Sequence, residues 1–142
     1  MRKINYFLGG KEMEKLQIEY CPTCGNVVEK IEDHRVPLMC CGQKLQLLKP
    51  NSTEAAIEKH QPVISQENGT LLICVGEVEH PSVEAHWIPW VVIRFGNEVH
   101  RYSFEAGQKT IIELPCPASG MVVEAMAYCN LHGLWSTEYT VL

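Results

Sequence analysis

Two groups of residues in this chain have the types and spacing of metal ligands. The first is a Cys-x-x-Cys knuckle, Cys21 and Cys24, followed by the adjacent pair Cys40 and Cys41. In such a knuckle, backbone N–H groups after the first cysteine point back at the sulfurs and favour bound thiolate. Four soft thiolates suit tetrahedral zinc or a single iron. Zinc ribbons pair two separated knuckles, whereas adjacent residues have little freedom to place both sulfurs on one metal. A distorted, single-iron centre is therefore the expectation.

The second group is spread through the C-terminal two thirds. It comprises His60 in "EKHQP", His80 and His86 in "HPSVEAH", and Cys129 and His132 in "YCNLHGLW". Each histidine alone reads as structural. A Cys-x-x-His accompanied by histidines at other element ends reads as a metal site, because a rigid scaffold presents loop residues at one mouth. Thiolate with imidazole suits copper, zinc or iron. A Cys-His nucleophile has less support, since no oxyanion-hole motif or orienting acid stands beside it. His100, inside "EVHRYSF", reads as a strand histidine, and His34 as a solvated one. Cys74, mid-strand in "LLICV", reads as a small core residue, and Cys116, between prolines, has no histidine nearby.

Composition narrows the setting. The formal net charge of -5 and the absence of a basic run argue against a nucleic-acid partner. Neither "TLLICVGEV" nor "WIPWVVIRF" is long enough to cross a bilayer, so no membrane association is expected. "INYFLGG" followed by charged "KEMEK" does not read as a signal peptide. The expected compartment is the reducing cytoplasm. There, seven cysteines, an odd number, point to metal rather than to a disulfide framework.

The elements that must hold these ligands follow from the pattern. Residues 1–12 read as an N-terminal extension or tail, with Met13 a candidate native start. From 13 to 49 the chain reads as short strands and turns, too small to bury a sufficient core and so in need of a staple. Residues 50–142 begin with a linker in which Asn51 and Ser52 can cap a short helix from Thr53 to Lys59, stopped by Pro62. From Val63 onward, short strands recurring at turn-separated intervals predict an antiparallel β-sandwich.

The segments "CPTCG", "CCGQKLQLL", "EKHQP", "EHPSVEAHWI" and "YCNLHGLW", in this order over 13–142, resemble desulfoferrodoxin, the two-iron class of superoxide reductase. The resemblance implies a mainly β chain: a desulforedoxin-like domain over 13–49, then an immunoglobulin-like sandwich over 50–142. It implies two irons per chain. One falls on Cys21, Cys24, Cys40 and Cys41, and the catalytic one on four equatorial imidazoles, His60, His80, His86 and His132, with Cys129 axial. The implied activity is one-electron reduction of superoxide to hydrogen peroxide. A rubredoxin-like electron donor and a homodimer are implied with it. Glu58 and Lys59 match the residues that precede the family's first histidine ligand. The overall charge has the wrong sign for an anionic substrate, so Lys59 is the expected local cation. Glu58 is a hard oxygen ligand for the oxidised metal. Two rival readings are a cupredoxin-like electron carrier and a zinc-stapled binding module. The first has more histidines than it needs and no methionine after the cysteine, and the second leaves the histidines idle.

Overall fold

Period-two burial marks the strands Pro62–Glu67, Thr70–Val75 and Ile111–Pro115 in the computed structural model, which describes residues 6–8, 11–13 and 15–142. The chain divides into two units, Met1–Lys49 and Pro50–Leu142. No helix among the described residues is long and apolar enough to cross a membrane.

In the first unit, β1 (Tyr6–Leu8) and β2 (Lys11–Met13) pair antiparallel. The remaining residues of the extension over 1–12, namely 1–5, 9 and 10, lie outside the described residues. β3 (Gln17–Tyr20), β4 (Val27–Lys30), the short β5 (Met39–Cys40) and β6 (Gln43–Lys44), and β7 (Gln46–Leu47) follow. β3 is the centre of a three-stranded sheet in the order β4-β3-β7, and β5 and β6 form a separate hairpin. Among the described residues only Ile18 and Cys21 of this unit are buried apolar side chains. So small a core leaves the unit dependent on whatever its cysteines bind.

The second unit opens with α1 (Ile57–His60) and continues through β8 (Pro62–Glu67), β9 (Thr70–Val75), β10 (Trp90–Phe95), β11 (Glu98–Ser103), β12 (Ile111–Pro115), β13 (Val122–Cys129) and β14 (Gly133–Thr140). The strands form two antiparallel sheets, β11-β10-β13-β14 and β12-β9-β8. Both sheets contribute to one buried core: Leu71, Ile73 and Ile112 from one, Val91, Ile93 and Val123 from the other. Asn68 and Gly69, at φ 48° and 77°, make the β8–β9 hairpin turn, the left-handed pair that a two-residue loop requires.

The helix is shorter than the sequence pattern predicts. It occupies a single turn, because Ala56 is still extended (φ -65°, ψ 110°) and makes no side-chain cap. The expected cap, Asn51, is used elsewhere. Its Oδ1 accepts from the Ser136 N–H at 3.0 Å, and its Nδ2 donates to the Ser136 carbonyl at 3.3 Å, tying the linker to β14. Cys74 also departs from expectation. In β9 the buried positions are Leu71, Ile73 and Val75, which leaves Cys74 on the opposite, half-buried face.

Candidate metal centres

In the first unit the Sγ atoms of Cys21, Cys24, Cys40 and Cys41 all lie within 4.8 Å of one another. The Cys24 and Cys40 sulfurs are 3.5 Å apart, and those of Cys40 and Cys41 are 4.0 Å apart. The knuckle turns back on itself through Gly25 N–H to the Cys21 carbonyl, 2.8 Å, and Cys21 N–H to the Asn26 carbonyl, 2.9 Å. That turn aims amides at sulfur: Asn26 N–H reaches Cys24 Sγ at 3.5 Å. The adjacent pair solves its geometric problem in the backbone. Cys41 takes a left-handed conformation, φ 51°, which brings its sulfur to the same side as that of Cys40.

Cys21 differs electrostatically from Cys40 and Cys41. The backbone N–H of Cys24 is the main influence holding Cys21 down at about 6, against opposing burial. Contact with the Cys24, Cys21 and Cys40 sulfurs pushes Cys41 up to about 12. Beside the Cys21 thiolate, Cys40 and Cys41 resist ionising without a cation among them. That donor set fits iron or zinc.

The second centre assembles at the ends of α1 and β13 and in the segment before β10. His60 Nε2 lies 3.0 Å from His132 Nδ1, His86 Nε2 lies 3.2 Å from Cys129 Sγ, and Cys129 Sγ lies 3.7 Å from His132 Nδ1. All four donor atoms fall within 4.8 Å of one another.

This corrects the expected composition of four histidines and one cysteine. The close set is three histidines and one cysteine, and His80 is not in it. The His80 Nδ1–H donates to the carbonyl of its neighbour Pro81 at 2.7 Å. So held, the ring packs edge-on against those of His60 and His86, at centroid distances of 4.8 and 4.6 Å. It walls the centre, and its Nε2 is buried without a hydrogen-bond partner.

Burial controls the protonation of the centre. It is the main cause that lowers His60, His86 and His80, the last to about 4. These imidazoles are therefore neutral near pH 7 and offer lone pairs. Burial raises the Cys129 thiol, while the backbone N–H groups of Leu131 and His132 act in the opposite sense, by hydrogen bonding to the sulfur. A buried thiol that already receives two amides is prepared for a metal to replace its proton.

Several supporting groups were not visible in the ligand pattern. The Ala56 carbonyl accepts His60 Nδ1–H at 2.7 Å, which leaves Nε2 as the donor to a metal. Trp135 stacks on the His60 ring at 5.2 Å and donates its indole N–H to the His132 carbonyl at 3.1 Å. Asn130 bonds to the segment around His86. The sequence signal for the last two was only their place inside "YCNLHGLW". Glu58 and Lys59 are exposed on α1 beside His60. The Lys59 charge is a lesser contributor to the lowering of His60 and His86, which places it within electrostatic reach of the centre. His100 lies in β11, stacked on Phe95 at 5.3 Å, and His34 is exposed beside Glu32.

The model of the desulfoferrodoxin family matches residues 52–138. A desulfoferrodoxin from Syntrophotalea carbinolica is 39% identical over 125 residues, which are 88% of this chain and 98% of that protein. Among solved structures, a superoxide reductase from Treponema pallidum has a similar fold, with a TM-score of 0.67. That match covers 87% of this chain and 99% of that one, at 23% identity. A substituted form of the superoxide reductase (neelaredoxin) from Ignicoccus hospitalis matches with a TM-score of 0.52 and 29% identity, over 61% of this chain and 85% of that one.

Proposed function

This chain belongs to the desulfoferrodoxin family, and from that premise we infer that it is a superoxide reductase acting at a mononuclear iron site with histidine and cysteine ligands. The observation that carries the reading is the clustering of His60, His86, His132 and Cys129 donor atoms within 4.8 Å, inside the span that matches the family. Neutral imidazoles with one thiolate fit iron. Iron held by these residues would supply the single electron that, with two protons, turns superoxide into hydrogen peroxide.

The chain's own residues do the rest. The Ala56 carbonyl fixes the tautomer and direction of His60. The amides of Leu131 and His132 moderate the electron donation of the Cys129 sulfur. Lys59 supplies a cation where the net charge of -5 opposes the approach of an anion. Glu58, exposed beside His60, would offer a hard carboxylate oxygen to oxidised iron held by these residues. The shared apolar core of the two sheets supports an immunoglobulin-like sandwich as the scaffold for these loops. The family resemblance supports a rubredoxin-like electron donor and a homodimer. The free cysteines support a reducing cytoplasm as the place of action.

Metal analysis and a visible spectrum of the purified protein test the assignment. Iron with a sulfur-to-metal charge-transfer band is the expected result. Copper in its place would indicate an electron carrier, and zinc alone would indicate a stapled binding module.

A further inference from the structure

The loop that carries Cys129 and His132 is fastened to the segment that carries His86 by one side chain that binds no metal. Asn130 Oδ1 accepts the Trp87 N–H at 3.0 Å, and Asn130 Nδ2 donates to the Ala85 carbonyl at 3.0 Å. The Asn130 N–H adds a third bond, to the Trp87 carbonyl, at 3.2 Å. The side-chain bonds thus end on the two residues that flank His86, and they start from the residue next to Cys129. His86 is pinned again by reciprocal backbone bonds with Val83, at 2.9 and 3.0 Å. Across this latch His86 Nε2 and Cys129 Sγ meet at 3.2 Å.

We propose that Asn130 is a positioning residue of the histidine–cysteine centre, setting how Cys129 and His86 present their donor atoms to the metal. The inference rests on the reading of that centre as an iron site. A carboxamide both accepts from an N–H and donates to a carbonyl from one short planar group, without depending on its protonation state, and these are the partners Trp87 and Ala85 present. The loop conformation begun at Asn130 also aims the Leu131 and His132 amides at the sulfur. Movement of this loop therefore changes both the Cys129–His86 separation and the hydrogen bonds that moderate the thiolate.

The test compares Asn130→Ala with Gln66→Ala in the full, iron-loaded chain. Gln66 is a latch of the same chemistry away from the ligands: its Oε1 accepts from Leu142 N–H at 3.0 Å, and its Nε2 donates to the Leu142 carbonyl at 3.3 Å. Both variants lose thermal stability. Only Asn130→Ala is expected to shift the sulfur-to-iron charge-transfer band and to weaken iron retention against a chelator, by about ten- to a hundredfold. An Asn130→Ala protein that is less stable but has an unmoved band would overturn the proposal and leave the latch purely structural. If Asn130→Ala does not fold, Asn130→Asp, which keeps the acceptor and loses the donor, is read the same way: a shifted band supports positioning, and an unmoved one overturns it. An unsubstituted chain with no such band would instead refute the iron–thiolate reading itself.

Discussion

Cys129 and Lys59 act on the reaction through different properties, and single substitutions separate them. Cys129→Ser exchanges a polarisable thiolate for a weak oxygen donor of nearly the same size. The expected outcome is loss of the sulfur-to-iron band and of superoxide reduction, with little change in fold. A variant that keeps both would remove Cys129 from the centre. Lys59→Ala removes the cation near the histidines and should slow the second-order reaction with superoxide about tenfold, with a weaker dependence on ionic strength. Glu58→Ala should leave that encounter rate nearly unchanged and alter the spectrum of the oxidised protein. Equal slowing in both variants, with no spectral change in the glutamate variant, would contradict this division. At this scale most of the centre was legible in the sequence, because histidine and cysteine at loop ends announce themselves by type. The place of His80 at a loop end, and the family resemblance, put it in the expected ligand set. His80 makes the same kind of Nδ1 bond to a carbonyl as His60 does, and what leaves it outside the close set is its position, which spacing does not encode. Asn130 and Trp135 were invisible as functional residues because neither type signals metal chemistry.

The elements position the site through backbone contacts that leave little tolerance. Gly76, at φ 83°, lies under the one-turn helix, and a Cβ there would stand 2.5 to 2.7 Å from the carbonyl oxygens of Val78, Lys59 and Glu58. The Val78 N–H in turn donates to the Glu58 carbonyl at 2.9 Å, and the Gly76 N–H donates to that of Gln61 at 3.0 Å. Gly76→Ala should therefore cost about 1–3 kcal/mol and push α1, with His60, away from the other ligands. Denaturation midpoints and iron retention measure this; native values for both would show that the turn yields more easily than its geometry implies. Short apolar runs separated by turns made the strands of the second unit legible in the sequence, but the extent of the helix was not. The capping role expected of Asn51 is overridden by its bonds to Ser136, a partner 85 residues away. The half-buried face of Cys74 depends likewise on which side of β9 meets the second sheet.

At the scale of the molecule, the two centres draw their ligands from separate units. Cys40→Ser should disturb the four-cysteine site and loosen the first unit while the histidine–cysteine centre keeps its metal; joint loss of both would refute that independence. Acid should weaken the metal-free second unit. An unfolded histidine titrates near 6.5, whereas His80 in the folded chain is lowered to about 4. Between those values the unfolded chain binds the extra proton, so stability is intact above about pH 6.5 and falls as pH drops toward about 4. Trp87, Trp90 and Trp135 all lie in the second unit, so tryptophan fluorescence during denaturation reports on it. Stability unchanged from pH 7 to 4 would contradict the burial argument. The central claim, that the histidine–cysteine centre reduces superoxide, is tested most directly by mixing the reduced, iron-loaded chain with a pulse of superoxide without oxygen. The account predicts that iron at that centre is oxidised as hydrogen peroxide appears in equal amount, with no dioxygen released. Dioxygen evolved alongside peroxide, or superoxide that decays without oxidising the iron, would contradict it.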